Sequence, residues 1–243
     1  MKNISFIGIG LMGMPMAKNI LTKGYKLTVF NRTISKAERL SKDGAAIAKS
    51  IKDAVKSSDL IITMLSDDEA VLSVIKNKQF LENVKSGSIL IDMSSTKPAT
   101  AKKIADLLKK KKIDFLDAPV SGGTIGAENA SLAIMAGGNE NSYKKVLGIL
   151  NSMGTATLVG PVGSGQIAKL ANQIIVGVTI GAVAEALHLC QKSGANPKKF
   201  IKAVEGGFAD SKILKNHGKK MIEGNYTPGG KTSTHLKDMN NIL

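Results

Sequence analysis

The 243-residue sequence predicts an α/β protein in which a doubly wound parallel sheet is followed by an all-α C-terminal domain. Three observations lead there. Short β-branched runs alternate with amphipathic helical stretches through the first half, the pattern of a parallel sheet covered by helices. A turn with regularly spaced glycines joins the first run to the first helix. After Gly160 and Pro161 no further strand-like run occurs, and helical periodicity dominates from Gln166 onward.

Taken in order, strands are expected at residues 4–7, 26–30, 60–64, 89–92 and 115–117, where Ile, Val, Leu and Phe collect in runs of strand length. Two more, at 132–136 and 156–159, follow a glycine-rich loop and flank a helix at 141–150, so this domain exceeds a minimal mononucleotide-binding half. The boundary is placed after Pro161, dividing the chain into 1–161 and 162–243. The second part should hold one long helix to about Ser193, a helix started by Asn196 and Pro197, another over 211–222, and a last one from near Thr234. That last helix is expected to run off the chain at Leu243, so the helical domain reads as truncated. Residues 170–190 approach membrane-spanning length, but Asn172, Gln173, Glu185 and His188 interrupt them, and a buried core helix is the expectation.

Gly8-Ile9-Gly10-Leu11-Met12-Gly13 follows a predicted strand and opens a predicted helix, the context in which G-x-G-x-x-G binds a dinucleotide in a Rossmann-type sheet. Gly8 permits the tight turn, Gly10 lets a pyrophosphate approach the backbone, and Gly13 lets the helix pack closely on the strand. The helix N-terminus then offers free N–H groups to the phosphates. At the end of the second strand an acidic residue would hold the adenosine ribose and repel a 2′-phosphate. Asn31-Arg32-Thr33 stands there instead, with Lys36 close behind; Arg32 can pair with a phosphate and Thr33 can donate to it, so NADP(H) is favoured over NAD(H).

Two further stretches carry chemistry. Asp117-Ala118-Pro119-Val120-Ser121-Gly122-Gly123 comes at the carboxyl end of a predicted strand, where open sheets place their ligands, and Ser121 with two glycines offers a hydroxyl and bare N–H groups suited to a carboxylate. Gly163-Ser164-Gly165-Gln166-Ile167-Ala168-Lys169-Leu170-Ala171-Asn172-Gln173 puts Lys169 and Asn172 three residues apart, on one face of the long helix. A lysine among apolar neighbours is usually a snorkelling surface residue, and the glycine turn and the amide beside Lys169 are what set it apart.

Composition excludes other classes. The formal charge is +15, but only Arg32 and Arg39 among the 34 basic residues are arginine, and nine aromatics (six Phe, three Tyr) leave little for base stacking, so specific nucleic-acid binding is not expected. His188, His217 and His235 are isolated, and no metal is expected. No membrane association is expected. The single cysteine, Cys190, excludes an internal disulfide and fits a cytoplasmic compartment.

With these motifs in this order, the chain resembles the β-hydroxyacid dehydrogenases, the 6-phosphogluconate dehydrogenase-like group that contains 3-hydroxyisobutyrate dehydrogenase and tartronate semialdehyde reductase (2-hydroxy-3-oxopropionate reductase). The resemblance runs through the whole chain: the cofactor loop at Gly8 to Pro15, the substrate motif at Asp117 to Gly123, the catalytic motif at Gly163 to Gln173, and Leu236-Lys237-Asp238 near the end. It implies that Lys169 is catalytic, that Ser121, Gly122 and Gly123 bind the substrate carboxylate, and that Asn172 helps hold the substrate. Lys237 would reach the nicotinamide and substrate region, while Leu65, Ser66 and Thr96 would line the cofactor alongside Gly8, Gly10, Leu11, Met12, Gly13, Asn31, Arg32 and Thr33.

The implied reaction is NADPH-dependent reduction of a small aldehyde acid. Residues 206–211 and Pro228-Gly229-Gly230 look most like tartronate semialdehyde reductases, with a glyoxylate or succinic semialdehyde reductase or a 3-hydroxyisobutyrate dehydrogenase as alternatives. Ser66 stands where many members have proline. Members usually continue through several more helices that contribute to a dimer. A homo-oligomer is therefore expected of a complete helical domain, and a catalytically impaired cofactor-binding protein is the competing expectation for a short one.

Overall fold

A computed structural model describes residues 3–227 and 232–242. The alternation expected from the sequence is present. Strand β1 (Ile4–Ile7) leads into α1 (Gly13–Thr22), and β2 (Leu27–Phe30), α2 (Ile34–Glu38), β3 (Ala46–Ile47), α3 (Ile51–Val55) and β4 (Leu60–Thr63) follow. Next come α4 (Asp68–Ile75), α5 (Lys78–Asn83), β5 (Ile89–Asp92), α6 (Pro98–Lys109) and β6 (Asp114–Asp117). The unit continues with β7 (Val120–Ser121), α7 (Gly123–Glu128), β8 (Leu132–Gly138), α8 (Glu140–Leu150) and β9 (Gly154–Gly160). The two-residue strands β3 and β7 are too short to show a periodicity in sequence.

Among the described residues one sheet has the order β3-β2-β1-β4-β5-β6-β8-β7, with β9 on β8. The first six are parallel, and β8 runs antiparallel to β6 and β7. The order reverses at β1, so the glycine turn that follows it lies at the topological switch point. Successive residues of the central strands enter opposite cores. Leu60 and Ile62 pack with Met16, Ala17 and Ile20 of α1 on one face, while Ile61 packs with Ala54, Ile104 and Leu108 on the other. Burial on both faces is why these strands read as unbroken apolar runs.

The chain divides into two compact units, Met1–Lys169 with Asn241–Leu243, and Leu170–Asn240. The division falls inside α9 (Ser164–Lys192), later than the boundary expected after Pro161, because the opening turns of α9 are hydrogen-bonded to residues of the sheet unit. The second unit adds α10 (Pro197–Ala203), α11 (Lys219–Glu223) and α12 (Thr232–Asn240), with a small core of Val183, Leu187 and Leu214 backed by Phe200, Ile201 and Val204.

Three expectations about the helical half need correction. The helix expected over 211–222 is interrupted by a wide π-type turn, Leu214–Gly218, where Gly218 lacks the side chain that would meet Ile201 and Val183. The last helix stops at Asn240, and Asn241 and Ile242 form a turn. Nor is α9 a buried core helix: Ile175 and Val178 are 66% and 69% exposed, because the described short helices cover Val183 and Leu187 and, through α12, Gln173 and Gly177, but not these two side chains. By length and apolar composition α9 could cross a membrane, but its first turns are pinned to a buried carboxylate of the sheet unit. The Pro228-Gly229-Gly230 stretch lies outside the described residues.

Candidate active site

The carboxyl ends of β1, β4, β5 and β6 form one edge, in the register Ile7↔Thr63, Thr63↔Asp92 and Asp92↔Asp117. Most of the residues singled out from the sequence lie in the loops that leave this edge. Gly8 has φ +106°, and a Cβ on Gly13 would sit 1.9 Å from the Gly8 carbonyl oxygen, so the turn and the helix approach require the two glycines. At Gly10 a Cβ would meet nothing within 4 Å, and Leu11 is 74% exposed. Met12, the N-cap of α1, makes no side-chain cap. In the first turn of α1 the Met14 N–H already donates to the Gly10 carbonyl at 3.0 Å and Pro15 has no N–H, so it is the exposed backbone of Gly10 and Leu11, just ahead of the helix, that fits a dinucleotide pyrophosphate.

Asn31 has a part that the sequence did not reveal. Its Oδ1 accepts from the Ile9 N–H at 3.0 Å, and its Nδ2 donates to the Thr33 carbonyl at 2.9 Å, bracing the glycine turn against the end of β2. Arg32, Thr33 and Lys36 are exposed beyond it. At the end of β4, the Leu65 N–H donates to Ser94 Oγ at 2.9 Å, while exposed Ser66 donates to Asp67, the N-cap of α4. Thr96 is fully buried, and its Oγ1 has no hydrogen-bond partner among the described residues. Such an orphaned hydroxyl in a predicted cofactor loop fits a bound group that would satisfy it.

Two carboxyls lie under this edge. Asp92 Oδ1 accepts from Thr63 Oγ1 at 2.8 Å and from Ser94 Oγ at 2.6 Å, while Oδ2 has no partner among the described residues. Burial pushes Asp92 up to about 6 against the hydrogen bonds from Ser94 and Thr63, and the neighbouring Asp117 adds to the rise. Burial likewise raises Asp117 to about 6, although the N–H groups of Gly163 and Gln166 favour its anion.

Ser121 ends β7 and is half-buried, and Gly122 and Gly123 are exposed with φ of +137° and +62°, which keeps the backbone of this loop accessible. Lys169 is only 9% exposed and sits in the second turn of α9. In the second unit Asn172 Nδ2 donates to Gln173 Oε1 at 3.0 Å, and Gln173 Nε2 donates to Asp238 Oδ2 at 2.7 Å. Asp238 Oδ1 lies 3.3 Å from Lys237 Nζ. Asn172 and Lys237 are thus joined through Gln173 and the buried Asp238. Nothing local in the sequence marks that link, although Asp238 was visible as the last residue of the Leu-Lys-Asp motif.

The geometry of loop and edge agrees with comparison to known proteins. Residues 3–163 match the family described as the NAD binding domain of 6-phosphogluconate dehydrogenase, and residues 163–243 match the NAD-binding domain of NADP-dependent 3-hydroxyisobutyrate dehydrogenase. The chain is 43% identical over 242 residues to the uncharacterized oxidoreductase YkwC of Bacillus subtilis, covering 98% of this chain and 83% of that one. It is 40% identical to the 2-hydroxy-3-oxopropionate reductase of Escherichia coli, covering 99% of this chain and 82% of that one. Among solved structures, 3-hydroxyisobutyrate dehydrogenase of Mycobacterium tuberculosis with L-serine superposes with a TM-score of 0.90 at 28% identity, over 100% of this chain and 85% of that one.

Proposed function

Since this chain belongs to the β-hydroxyacid dehydrogenase family of NAD(P)-dependent oxidoreductases, we propose that it uses NADPH to reduce a small aldehyde acid, tartronate semialdehyde to glycerate first among them, with Lys169 as proton donor. The observation that carries this reading is a lysine held nearly buried in the second turn of the helix that leaves the sheet edge. Burial beside the sheet edge shields the ammonium from bulk water, which strengthens its pull on a substrate carbonyl.

When bound, the reduced nicotinamide supplies a hydride to the aldehyde carbon. The chain's residues do the rest. The Lys169 ammonium polarises the carbonyl and gives a proton to the oxygen that would otherwise become an alkoxide, leaving a neutral amine to be reprotonated from solvent. Ser121 and the N–H groups of Gly122 and Gly123 hold the substrate carboxylate, and Asn172 and Lys237 assist in holding the substrate. Gly8, Gly10, Leu11, Met12 and Gly13 bind the pyrophosphate, with Leu65, Ser66 and Thr96 lining the cofactor.

Arg32 and Thr33 select the 2′-phosphate, supported by their exposure next to the braced Asn31. Arg32→Ala should weaken NADPH by about 1.5–3 kcal/mol, the worth of hydrogen bonds to a charged group, and leave NADH nearly unchanged. Calorimetric titration with both cofactors reads this directly; equal losses for the two would show that Arg32 does not select the phosphate.

Gly10→Ala tests the pyrophosphate cradle. A methyl group there meets nothing in the folded chain, so the melting temperature should hold. A bound dinucleotide would clash with it at a cost of roughly 1–3 kcal/mol, about 5- to 150-fold in affinity. Unaltered affinity would place the pyrophosphate elsewhere. Turnover of tartronate semialdehyde, glyoxylate, succinic semialdehyde and the 3-hydroxyisobutyrate oxidation partner, each with NADPH and NADH, tests the reaction itself. Tight NADPH binding with no turnover of any would favour a cofactor-binding protein without catalysis.

A further inference from the structure

The first turns of α9 are held from outside the helix. An N-cap side chain ordinarily accepts an N–H of the first turn, but the residue before Ser164 is Gly163, which has none. Asp117, at the end of β6, does this work instead: Oδ1 accepts from the Gly163 N–H at 2.7 Å and Oδ2 from the Gln166 N–H at 2.9 Å. An anion at a helix N-terminus is further favoured by the helix dipole. The contact needs Gly165, where a Cβ would lie 2.4 Å from the Asp117 carbonyl oxygen and 2.9 Å from Oδ2.

Gln166, also fully buried, extends the clamp. Its Oε1 accepts from the Thr96 N–H at 3.0 Å and its Nε2 donates to the Ser94 carbonyl at 2.8 Å. The side chain thus clips residues 94–96 to the helix whose backbone Asp117 grips. Lys169 follows Gln166 by three positions, on the same helical face.

We infer that Asp117 is a positioning residue for Lys169: by capping α9 from the neighbouring strand it sets the axial and rotational place of the lysine's helical turn, and Gln166 ties that place to the loop carrying Thr96. This rests on Lys169 being the proton donor for its catalytic meaning, though the clamp stands independently of it. A proton donor has to be placed to within a fraction of an ångström, and a shift of about 1 Å costs on the order of 10²-fold in rate. Asparagine at 117 turns an N–H2 toward one of the two donating amides, so one hydrogen bond becomes a donor–donor contact.

The test compares Asp117→Asn with wild type and with Asp106→Asn, an exposed carboxylate on α6 as control. The amides of residues 163–168 should exchange with deuterium roughly 10- to 100-fold faster in Asp117→Asn, the loss of a charge-assisted hydrogen bond. The ¹⁵N signal of the Lys169 ammonium should move. In turnover, kcat should fall by about 10- to 100-fold. The primary isotope effect with deuterated NADPH should grow, while the NADPH dissociation constant stays near wild type. Asp106→Asn should change none of these.

Gln166→Glu, which keeps the shape but sets an oxygen against the Ser94 carbonyl, should show the same pattern and stands in if Asp117→Asn does not fold. An unmoved Lys169 signal overturns the inference, as does faster exchange with kcat and isotope effect unchanged, which would make Asp117 a structural cap alone. A moved signal in a protein that turns over no aldehyde acid upholds the positioning and removes the proposed reaction.

Discussion

Lys169→Ala should lower turnover of the aldehyde acid by about 10²- to 10⁴-fold, the usual worth of a proton-transfer partner, with NADPH binding retained. The reason is chemical. Hydride addition to a carbonyl leaves negative charge on oxygen, and without a nearby acid the proton must come from water admitted to the site. The lysine is nearly buried, so alanine also leaves a void. Lys169→Met keeps most of the volume and separates the two effects: both variants should lose turnover alike, whereas their melting temperatures should differ. Steady-state kinetics with a separate NADPH titration reads the split. Wild-type turnover in Lys169→Met would remove Lys169 from the chemistry.

The second large effect concerns stability and pH. Burial raises Asp92 to about 6, above the value of about 3.9 expected in the unfolded chain, so folding favours its protonated form. Its contribution is therefore complete below about pH 4 and is lost as the pH rises through about 6. Asparagine cannot ionise and keeps an oxygen for Thr63 and Ser94, the partners of Oδ1. Relative to wild type, Asp92→Asn should therefore gain up to about 3 kcal/mol of stability between about pH 4 and pH 8. Urea denaturation at the two pH values measures the difference; parallel pH dependences would mean that Asp92 ionises in the folded protein as freely as in the unfolded one.

How much of this was open to inspection in the chain depends on the range over which each feature is specified. Strands β1, β4 and β5 are runs buried on both faces, and β2 alternates buried and half-buried residues, so each carries its own signal within four residues. The glycine turn is largely local: Gly8 has a positive φ and Gly13 must admit the Gly8 carbonyl, although a Cβ on Gly8 would also meet the distant Met64 carbonyl, and Gly10 stands in open space. Hence the fold class, the glycine turn and the helical change after Pro161 were legible. Strands β3 and β7, two residues each, were not, because they exist only by pairing with a longer neighbour.

The hydrogen bonds that link the candidate residues within each unit work at long range. Asp117 and Gly163 are 46 positions apart, Thr96 and Gln166 are 70 apart, and Gln173 and Asp238 are 65 apart. A lone aspartate at a strand end and a glutamine in a helix carry no sign of one another until the chain is folded. The exposure of α9 has the same character: composition says that Ile175 and Val178 are apolar, and whether anything covers them depends on elements elsewhere. Backbone conformation and apolar periodicity are written residue by residue, and they set the α/β sheet, its glycine turn and the helices after it. Hydrogen-bond partnership and burial are properties of pairs, and they alone made Asp117 the cap of the helix that bears Lys169.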